Sequence, residues 1–124
     1  MTPGEIYNLK RKNFIEKTKK NFEFLISEFG FREPEHLTNQ QPNEAIIQDR
    51  IEYDRTDKKL TLLNAYHPVD YGFEMNLTDK ENGETEMVYF VLKENQDIEQ
   101  SYIESAAQFL KNIFGTKIKN EKKL

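Results

Sequence analysis

The strongest constraint in the sequence is a run of alternating residues followed by an Asn-Gly pair. From Val69 to Leu77 every second residue is apolar, and the residues between them are Asp70, Gly72, Glu74 and Asn76. A period of two is typical of a β-strand with one buried face. Asn82-Gly83 follows, and it favours a tight hairpin because both central positions of a type I′ turn need positive φ. The sequence therefore predicts a half-buried antiparallel hairpin here.

Three further strands and two further turns extend this pattern. We predict strands over residues 44–54, over residues 59–66 and from Glu86 to Lys93. The turns predict these cross-strand pairs: Tyr53 with Leu60, Ile51 with Leu62, Leu62 with Phe73 or Met75, Met75 with Phe90, and Leu77 with Val88. All the turns place one apolar set on the same face: Ile47, Ile51, Tyr53, Leu60, Leu62, Tyr71, Phe73, Met75, Leu77, Val88, Phe90 and Leu92. This agreement favours a four-stranded antiparallel meander.

A helical pattern precedes the strands. Thr2 and Glu5 have the spacing of a capping box, and the Pro between them suits a first helical turn. An apolar stripe of helical period continues to Phe29, and Gly30 takes the left-handed conformation that ends many helices. We therefore predict a helix over residues 3–29.

A second helical pattern follows the strands, from Asp97 to Phe114, with Gly115 as its end. Residues 32–43 contain two prolines and no period, so we predict a loop there. The residues after Gly115, 116–124, are expected to be a frayed tail. The result is a single α+β domain over residues 1–124, a two-layer sandwich in the order α-β-β-β-β-α with both helices on one face of the sheet.

Composition excludes several classes of protein. The 124 residues include no cysteine, so disulfides, thiolate metal sites and cysteine nucleophiles are ruled out. No apolar run approaches the ~18 residues of a spanning helix, so we expect a soluble cytoplasmic protein without membrane partners.

The net charge of −4 conceals an acidic middle, because residues 32–104 carry seventeen acidic and seven basic groups. An acidic domain disfavours nucleic acid and suits a basic protein as partner.

The second face of the predicted sheet has no layer to cover it. The predicted registers place on it Arg50, Glu52, Asp54, Lys59, Thr61, Leu63, Gly72, Glu74, Asn76, Met87, Tyr89 and Val91. The sequence leaves two interpretations open, a solvated face and a surface that binds a partner. For the second, the candidate partner-binding residues are Glu52, Asp54, Asp70, Glu74 and Tyr89. Self-association through Leu63, Met87, Tyr89 and Val91 is a further interpretation.

One residue interrupts the buried pattern. Asp49 falls on the apolar face, opposite Asn64. The pair either lies in water at the rim of the sheet or forms a polar pocket with Tyr66 and Tyr71. The pocket interpretation carries the alternative function, a small-ligand-binding protein or small enzyme with a site between helices and sheet.

Signals for catalysis are weak. The two histidines, His36 and His67, each lie near a proline in a predicted loop or strand end. Glu33 and Glu35 are close to His36 in sequence, but nothing places the three on one helix face as a metal motif would. A phosphate-binding glycine loop and a nucleophile elbow are also absent from the sequence. We therefore expect no metal and no cofactor, and the sequence favours a binding role over an enzymatic one.

Two short segments suggest a relationship. Residues 24–31 read Phe-Leu-Ile-Ser-Glu-Phe-Gly-Phe, and the clearest strand contains Tyr71-Gly72-Phe73-Glu74. A helix that ends this way before a meander resembles small bacterial α+β domains of uncharacterised function, some of which are immunity proteins of polymorphic toxin systems. The resemblance covers about the first two-thirds of the chain by order of elements, and its residues carry no catalytic groups. It implies the architecture and suggests that the protein inhibits a basic toxin.

Overall fold

The computed structural model describes residues 2–40, 46–66 and 72–122. These residues form an antiparallel sheet in the order β1-β2-β3-β4-β5, together with helices that pack on it. The strands are Glu35–Gln40 (β1), Ile46–Asp54 (β2), Lys58–Ala65 (β3), Gly72–Asp79 (β4) and Thr85–Leu92 (β5). The α-helices are Pro3–Asn21 (α1), Phe24–Ser27 (α2) and Tyr102–Lys122 (α3), and a 3₁₀ helix follows β5 at Lys93–Asn95. The chain is therefore α+β, as predicted, but with five strands rather than four.

The additional strand, β1, lies within residues 32–43, which we predicted to be a loop. It pairs antiparallel with β2, with Glu35 opposite Glu52 and Leu37 opposite Arg50. Its residues are exposed except for the partly buried Leu37. An edge strand of this kind is held by backbone hydrogen bonds to its neighbour, so it needs no apolar alternation that the sequence could reveal.

The first helical region starts as predicted and is then interrupted. Thr2 and Glu5 form the expected capping box. α1 ends at Asn21, however, and the single turn of α2 follows. The prediction of one continuous helix over residues 3–29 was therefore wrong. The break has a packing reason. Positions i and i+2 of a continuous helix point about 200° apart, so Phe22 and Phe24 could not both face the core. With the helix interrupted between them, both are buried and their ring centroids are 6.0 Å apart.

The end of this region follows the prediction. Gly30 has a φ of 75°, which only glycine adopts without strain. The N–H of Phe31 then donates to the carbonyl of Leu25, and the Phe31 side chain is buried in the core. Arg55, in the turn between β2 and β3, stacks over the Phe31 ring and donates to the Phe29 carbonyl. The helix end is thereby attached to the sheet.

The core fills the space between the helices and one face of the sheet. The predicted pairs of Tyr53 with Leu60 and Ile51 with Leu62 are confirmed, and Leu62 pairs with Met75. Six apolar strand residues are fully buried: Ile51, Tyr53, Leu60, Leu62, Phe73 and Met75. The helices contribute Phe14, Leu25, Ile103, Ala106, Leu110 and Phe114, which are also fully buried, and Phe22 between α1 and α2 is fully buried with them.

The pairing of β4 with β5 differs from the prediction. Met75 lies opposite Tyr89 rather than Phe90, and Leu77 lies opposite Glu86 rather than Val88. The register shifts between Met75 and Asn76, where β5 contains an extra residue, so the strand has a β-bulge. At Leu77 the pairing differs from the prediction by two residues, which leaves the faces unchanged, so Met87 stays on the outer face. Beyond the bulge the difference is one residue, so the strand from Tyr89 onward lies on the opposite face from the one predicted.

Tyr89 is therefore on the core side, and its predicted place on the outer face was wrong. Its ring lies 6.5 Å from Phe73 and 5.3 Å from Phe109 of α3, measured between centroids. Phe90, predicted to be buried, instead lies on the outer face opposite Glu74 and is 56% exposed. Turn residues alone could not reveal the bulge that causes this exchange.

The C-terminal helix starts later and ends later than predicted. Asp97 accepts a hydrogen bond from the N–H of Ser101, so it caps a turn that precedes the helix. Gln100 has a φ of 58°, and α3 begins only at Tyr102. The helix continues through Gly115 to Lys122, because glycine inside a helix costs only about 1 kcal/mol relative to alanine.

Candidate functional site

A buried ionic cluster lies between α1 and the sheet, centred on Asp49. Asp49 is opposite Asn64 as predicted, and both are fully buried. Arg11 donates from Nε to Oδ2 (2.8 Å) and from Nη2 to Oδ1 (3.0 Å). His36 Nε2 lies 2.8 Å from Oδ1, and the Tyr66 hydroxyl donates to Oδ2 at 2.8 Å. The cluster therefore joins α1, β1, β2 and the end of β3.

The hydrogen bonds determine the charge of Asp49. Burial alone would raise the pKa of its carboxyl, but the bonds from Arg11, His36 and Tyr66 outweigh burial and lower that pKa. Because a carboxylate only accepts, His36 must carry its proton on Nε2. A carboxylate offers about four acceptor positions, and four donors occupy them. Asp49 thus has no position left for a substrate proton or a metal ion, and its predicted alternative place in water at the rim was wrong.

Two tyrosine rings lie beside the cluster. Tyr7 of α1 and Tyr66 meet edge to face, with centroids 5.3 Å apart. Burial first, and then the nearby Asp49 charge, raises the pKa of Tyr66, while burial raises the pKa of Tyr7. Both therefore stay protonated at neutral pH. Tyr71, the remaining predicted pocket residue, lies outside the described residues.

An amide network continues from Asn64 toward α3. The Asn64 side chain donates to Gln100 Oε1 (3.0 Å) and accepts from Gln96 Nε2 (2.9 Å). The Tyr102 hydroxyl also donates to Gln100 Oε1, at 2.6 Å. Gln100 is fully buried. These bonds hold the segment between β5 and α3 against the sheet.

The outer face of the sheet carries the second candidate site. Cross-strand pairing aligns two rows on it: Leu37, Arg50, Leu63, Glu74 and Phe90, and then Glu35, Glu52, Thr61, Asn76 and Met87. Met87 and Phe90 are 50% and 56% exposed. Among the described residues, the helices bury their apolar side chains on the opposite face. The outer face is therefore a mixed apolar and charged surface.

Two of the carboxylates predicted to bind a partner, Glu52 and Asp54, have cations of this chain beside them. Glu52 pairs with Arg50 and Lys59, each at 3.1 Å. Asp54 pairs with Lys80 and with Arg32. The Lys80 ammonium is the main cause of the lowered pKa of Asp54. These pairs are partly exposed, so each contributes little to stability.

The structure places the predicted site residues in two groups. Glu52, Asp54 and Glu74 share the outer face, whereas Tyr89 lies in the inner layer. Asp70 lies outside the described residues. The pocket residues Asp49, Asn64 and Tyr66 do come together, but as a bonded cluster.

Two members of the ionic cluster were missed from the sequence. Arg11 lies four residues before Ile15 and seven before Thr18, so it continues the apolar stripe of α1 toward the helix start. The signal that could have identified the pair is this cation on the apolar stripe together with the carboxylate of Asp49 on the inner face of the sheet. His36 carries no such signal, because the sequence predicts a loop over residues 32–43, where its strand lies.

Comparisons with family models, with curated protein sequences and with solved structures find no match for this chain. In the part of the chain that the structure describes, no three His, Asp or Glu side chains are grouped so that they could hold a metal ion. Among the same residues, no helix has both the length and the hydropathy needed to cross a bilayer.

Proposed function

We propose that this chain is a non-enzymatic binding module whose outer sheet face binds a basic protein. The observation that carries the proposal is the exposure of Met87 and Phe90, 50% and 56%, on a face that also bears Glu52 and Glu74. Methionine and aromatic residues are enriched at protein interfaces. Large side chains of this kind also supply much of the binding energy when a partner buries them.

Charge supports a basic partner. All five strands lie within residues 32–104, where acidic groups exceed basic ones by ten. The pairs that Glu52 makes with Arg50 and Lys59 are partly exposed, so a partner's Lys or Arg can replace them at little cost. An acidic surface also increases the rate of encounter with a basic protein.

The ionic cluster supports a role without catalysis. Among the Asp and Glu residues that the structure describes, Asp49 alone is fully buried. Its four acceptor positions are occupied by donors of this chain. A general base needs a free acceptor within reach of substrate. The cluster therefore acts in stability, and the binding surface lies on the other side of the sheet.

The finer proposal is that the partner is a toxin and this chain its immunity protein. It rests on the resemblance of residues 24–31 and 71–74 to domains of that kind, together with the acidic sheet. The gene neighbouring this one in the native genome then encodes the toxin. Co-expression of the two is expected to restore growth that the toxin alone prevents.

Affinity capture from the native host, using the full chain as bait, tests the interface. The variants Phe90→Gln and Glu74→Lys are expected to lose the captured protein. The matched controls are Phe109→Gln and Glu104→Lys, since Phe109 is 41% exposed on α3 and Glu104 is exposed on the same helix. Both controls are expected to retain it.

Three results would contradict the proposal. If Phe90→Gln and Glu74→Lys both retain the captured protein, the binding surface lies elsewhere. A partner with an acidic surface would overturn the charge argument. Light scattering that shows a dimer dissociated by Phe90→Gln would replace the basic partner with a second copy of the chain.

A further inference from the structure

Glu74 and Phe90 lie directly opposite each other on the outer face, in the neighbouring strands β4 and β5. Phe90 is 56% exposed, and Glu74 is partly buried. Side chains opposite each other in an antiparallel pair have Cβ atoms about 5 Å apart, so the carboxylate and the ring are neighbours. Leu63 of β3 flanks Glu74 on its other side. The carboxylate therefore lies between two apolar side chains.

Neither of these two side chains is paired with a cation in the described part of the chain. Glu74 differs in this from Glu52 on the same face, since its carboxylate forms no ion pair and accepts no hydrogen bond from any described residue. Among the same residues, no cation and no second ring lies against the Phe90 ring. Arg50 and Lys59, which are cations of this face, both bind Glu52. Glu74 and Phe90 thus offer a negative charge and an aromatic face to a group from outside.

Elsewhere in this molecule a cation completes the same combination of ring and carboxylate. The Arg55 guanidinium lies over the Phe31 ring, 5.0 Å from its centroid. It also donates to both carboxylate oxygens of Asp57, at 2.6 Å and 2.9 Å. One planar guanidinium can therefore stack on a ring with its face while it binds a carboxylate with its edge.

Lysine makes a looser version of this arrangement. The Lys111 ammonium lies 5.6 Å from the centroid of the Phe24 ring and 3.3 Å from Glu28 Oε2. An ammonium is a compact point charge, so it cannot present a flat face to a ring and two parallel donors to a carboxylate. Glu74 and Phe90 are therefore better matched to a guanidinium than to an ammonium.

We propose that Glu74 and Phe90 bind an arginine side chain of the basic protein partner. The guanidinium stacks on the Phe90 ring and donates to the Glu74 carboxylate, while the aliphatic part of the arginine contacts Leu63. This inference rests on the proposed function, because the arginine belongs to the protein that the outer face binds. It adds the residue type that the partner presents and the two side chains that receive it.

An NMR titration of the full chain with the capped tripeptide Gly-Arg-Gly tests the pair without the partner. Saturable shifts of the Glu74 and Phe90 amide resonances are expected. The tripeptide with citrulline, which has the shape of arginine without its charge, is expected to bind about tenfold more weakly. The tripeptide with lysine is expected to bind about threefold more weakly. No saturable shift at Glu74, or equal binding of the arginine tripeptide and either of the others, would overturn the proposal.

Substitutions at Phe90 separate the aromatic face from hydrophobicity. Phe90→Leu keeps an apolar side chain without a π face, so it is expected to weaken binding of the arginine tripeptide about fivefold, the upper range for an exposed cation–π contact. Phe90→Trp is expected to retain binding. The matched control is Phe109→Leu, since Phe109 is 41% exposed on α3. Wild-type binding by Phe90→Leu, or an equal loss in Phe109→Leu, would contradict stacking on Phe90.

Capture of the partner by the same variants distinguishes the two proposals. Loss of the captured protein in both Phe90→Gln and Phe90→Leu, with retention in Phe90→Trp, is the expected result. If Phe90→Gln loses the protein and Phe90→Leu retains it, the outer face binds the partner through apolar contact, and only the arginine proposal fails. If Phe90→Gln and Glu74→Lys both retain it, the proposed function itself fails.

Discussion

Arg11 and Asp49 form a two-bond ion pair across the boundary between α1 and the sheet. The guanidinium donates from Nε at 2.8 Å and from Nη2 at 3.0 Å, one bond to each carboxylate oxygen. Asp49 is fully buried, and the Arg11 side chain is 20% exposed. A carboxylate in this position is tolerated only because the cation accompanies it, so the two residues depend on each other.

The first prediction concerns this dependence. Arg11→Met is expected to reduce the free energy of unfolding by about 3–5 kcal/mol, because the buried Asp49 carboxylate then loses its cation. Only the hydrogen bonds from His36 and Tyr66 remain to it. The double variant Arg11→Met/Asp49→Leu is expected to be more stable than Arg11→Met alone, since no charge then remains uncompensated. Urea unfolding of both variants, with the exposed Lys12→Met as control, measures this. Equal stability of Arg11→Met and Lys12→Met would show that the pair is dispensable.

The second prediction concerns acid. The pKa of Asp49 is lower in the folded chain than in the unfolded chain. At acidic pH the folded state therefore binds fewer protons than the unfolded state does, and acid favours unfolding. The resulting stability is complete above the unfolded value of about 3.9 and is lost as pH decreases through the lower folded pKa. The lowered pKa values of Asp57, paired with Arg55, and of Asp97, bonded to Ser101, act in the same direction.

Unfolding free energies measured from neutral pH to about pH 2 test this. Asp49→Asn is expected to be less stable at neutral pH and to lose less stability on acidification than the wild type. The control is Glu104→Gln, whose side chain is exposed on α3. Its acid profile should stay close to that of the wild type, and an unchanged slope in Asp49→Asn would refute the role of Asp49.

The fold was predictable where apolar residues report burial. Alternation identified β2 and β4, and turn residues placed β3 and gave the pairing of Ile51 with Leu62. β1 was not predictable, because an exposed edge strand carries polar residues on both faces. The bulge at Val88 was not predictable either, since an inserted residue leaves the apolar composition of β5 unchanged while it exchanges Tyr89 and Phe90 between faces.

The candidate sites were predictable to different degrees. The opposition of Asp49 and Asn64 followed from register alone and is confirmed. The donors that surround Asp49 come from elements far away in sequence, Arg11 by 38 positions and His36 by 13. Only the three-dimensional packing brings them together.

The third prediction compares two glycines with positive φ. Gly72 has a φ of 109°, and a Cβ there would meet the Lys93 N at 2.7 Å and the Val91 O at 2.8 Å. Gly72→Ala is therefore expected to cost about 3 kcal/mol or more. Gly83 has a φ of 73° with no atom within 4 Å of the added carbon, so Gly83→Ala should cost about 1 kcal/mol. Thermal unfolding of both variants checks the order, and similar losses would mean that backbone conformation alone matters.

The fourth prediction concerns the hydroxyls of two tyrosines, Tyr53 and Tyr102. The Tyr53 hydroxyl has no hydrogen-bond partner among the residues that the structure describes, and Tyr53 is fully buried. Tyr53→Phe removes a polar atom that lost its hydration on folding, so it is expected to raise the free energy of unfolding by about 1 kcal/mol.

Tyr102 is the matched control, because its hydroxyl donates to Gln100 Oε1 at 2.6 Å. Tyr102→Phe leaves that buried acceptor with one bond fewer and is expected to lower the free energy of unfolding by about 1 kcal/mol. Denaturant unfolding of the two variants under identical conditions measures both signs. If Tyr53→Phe also destabilises the chain, its hydroxyl must be hydrogen-bonded in solution. The helix-facing side of the sheet would then contain a third polar contact, besides the Asp49 cluster and the Asn64 network.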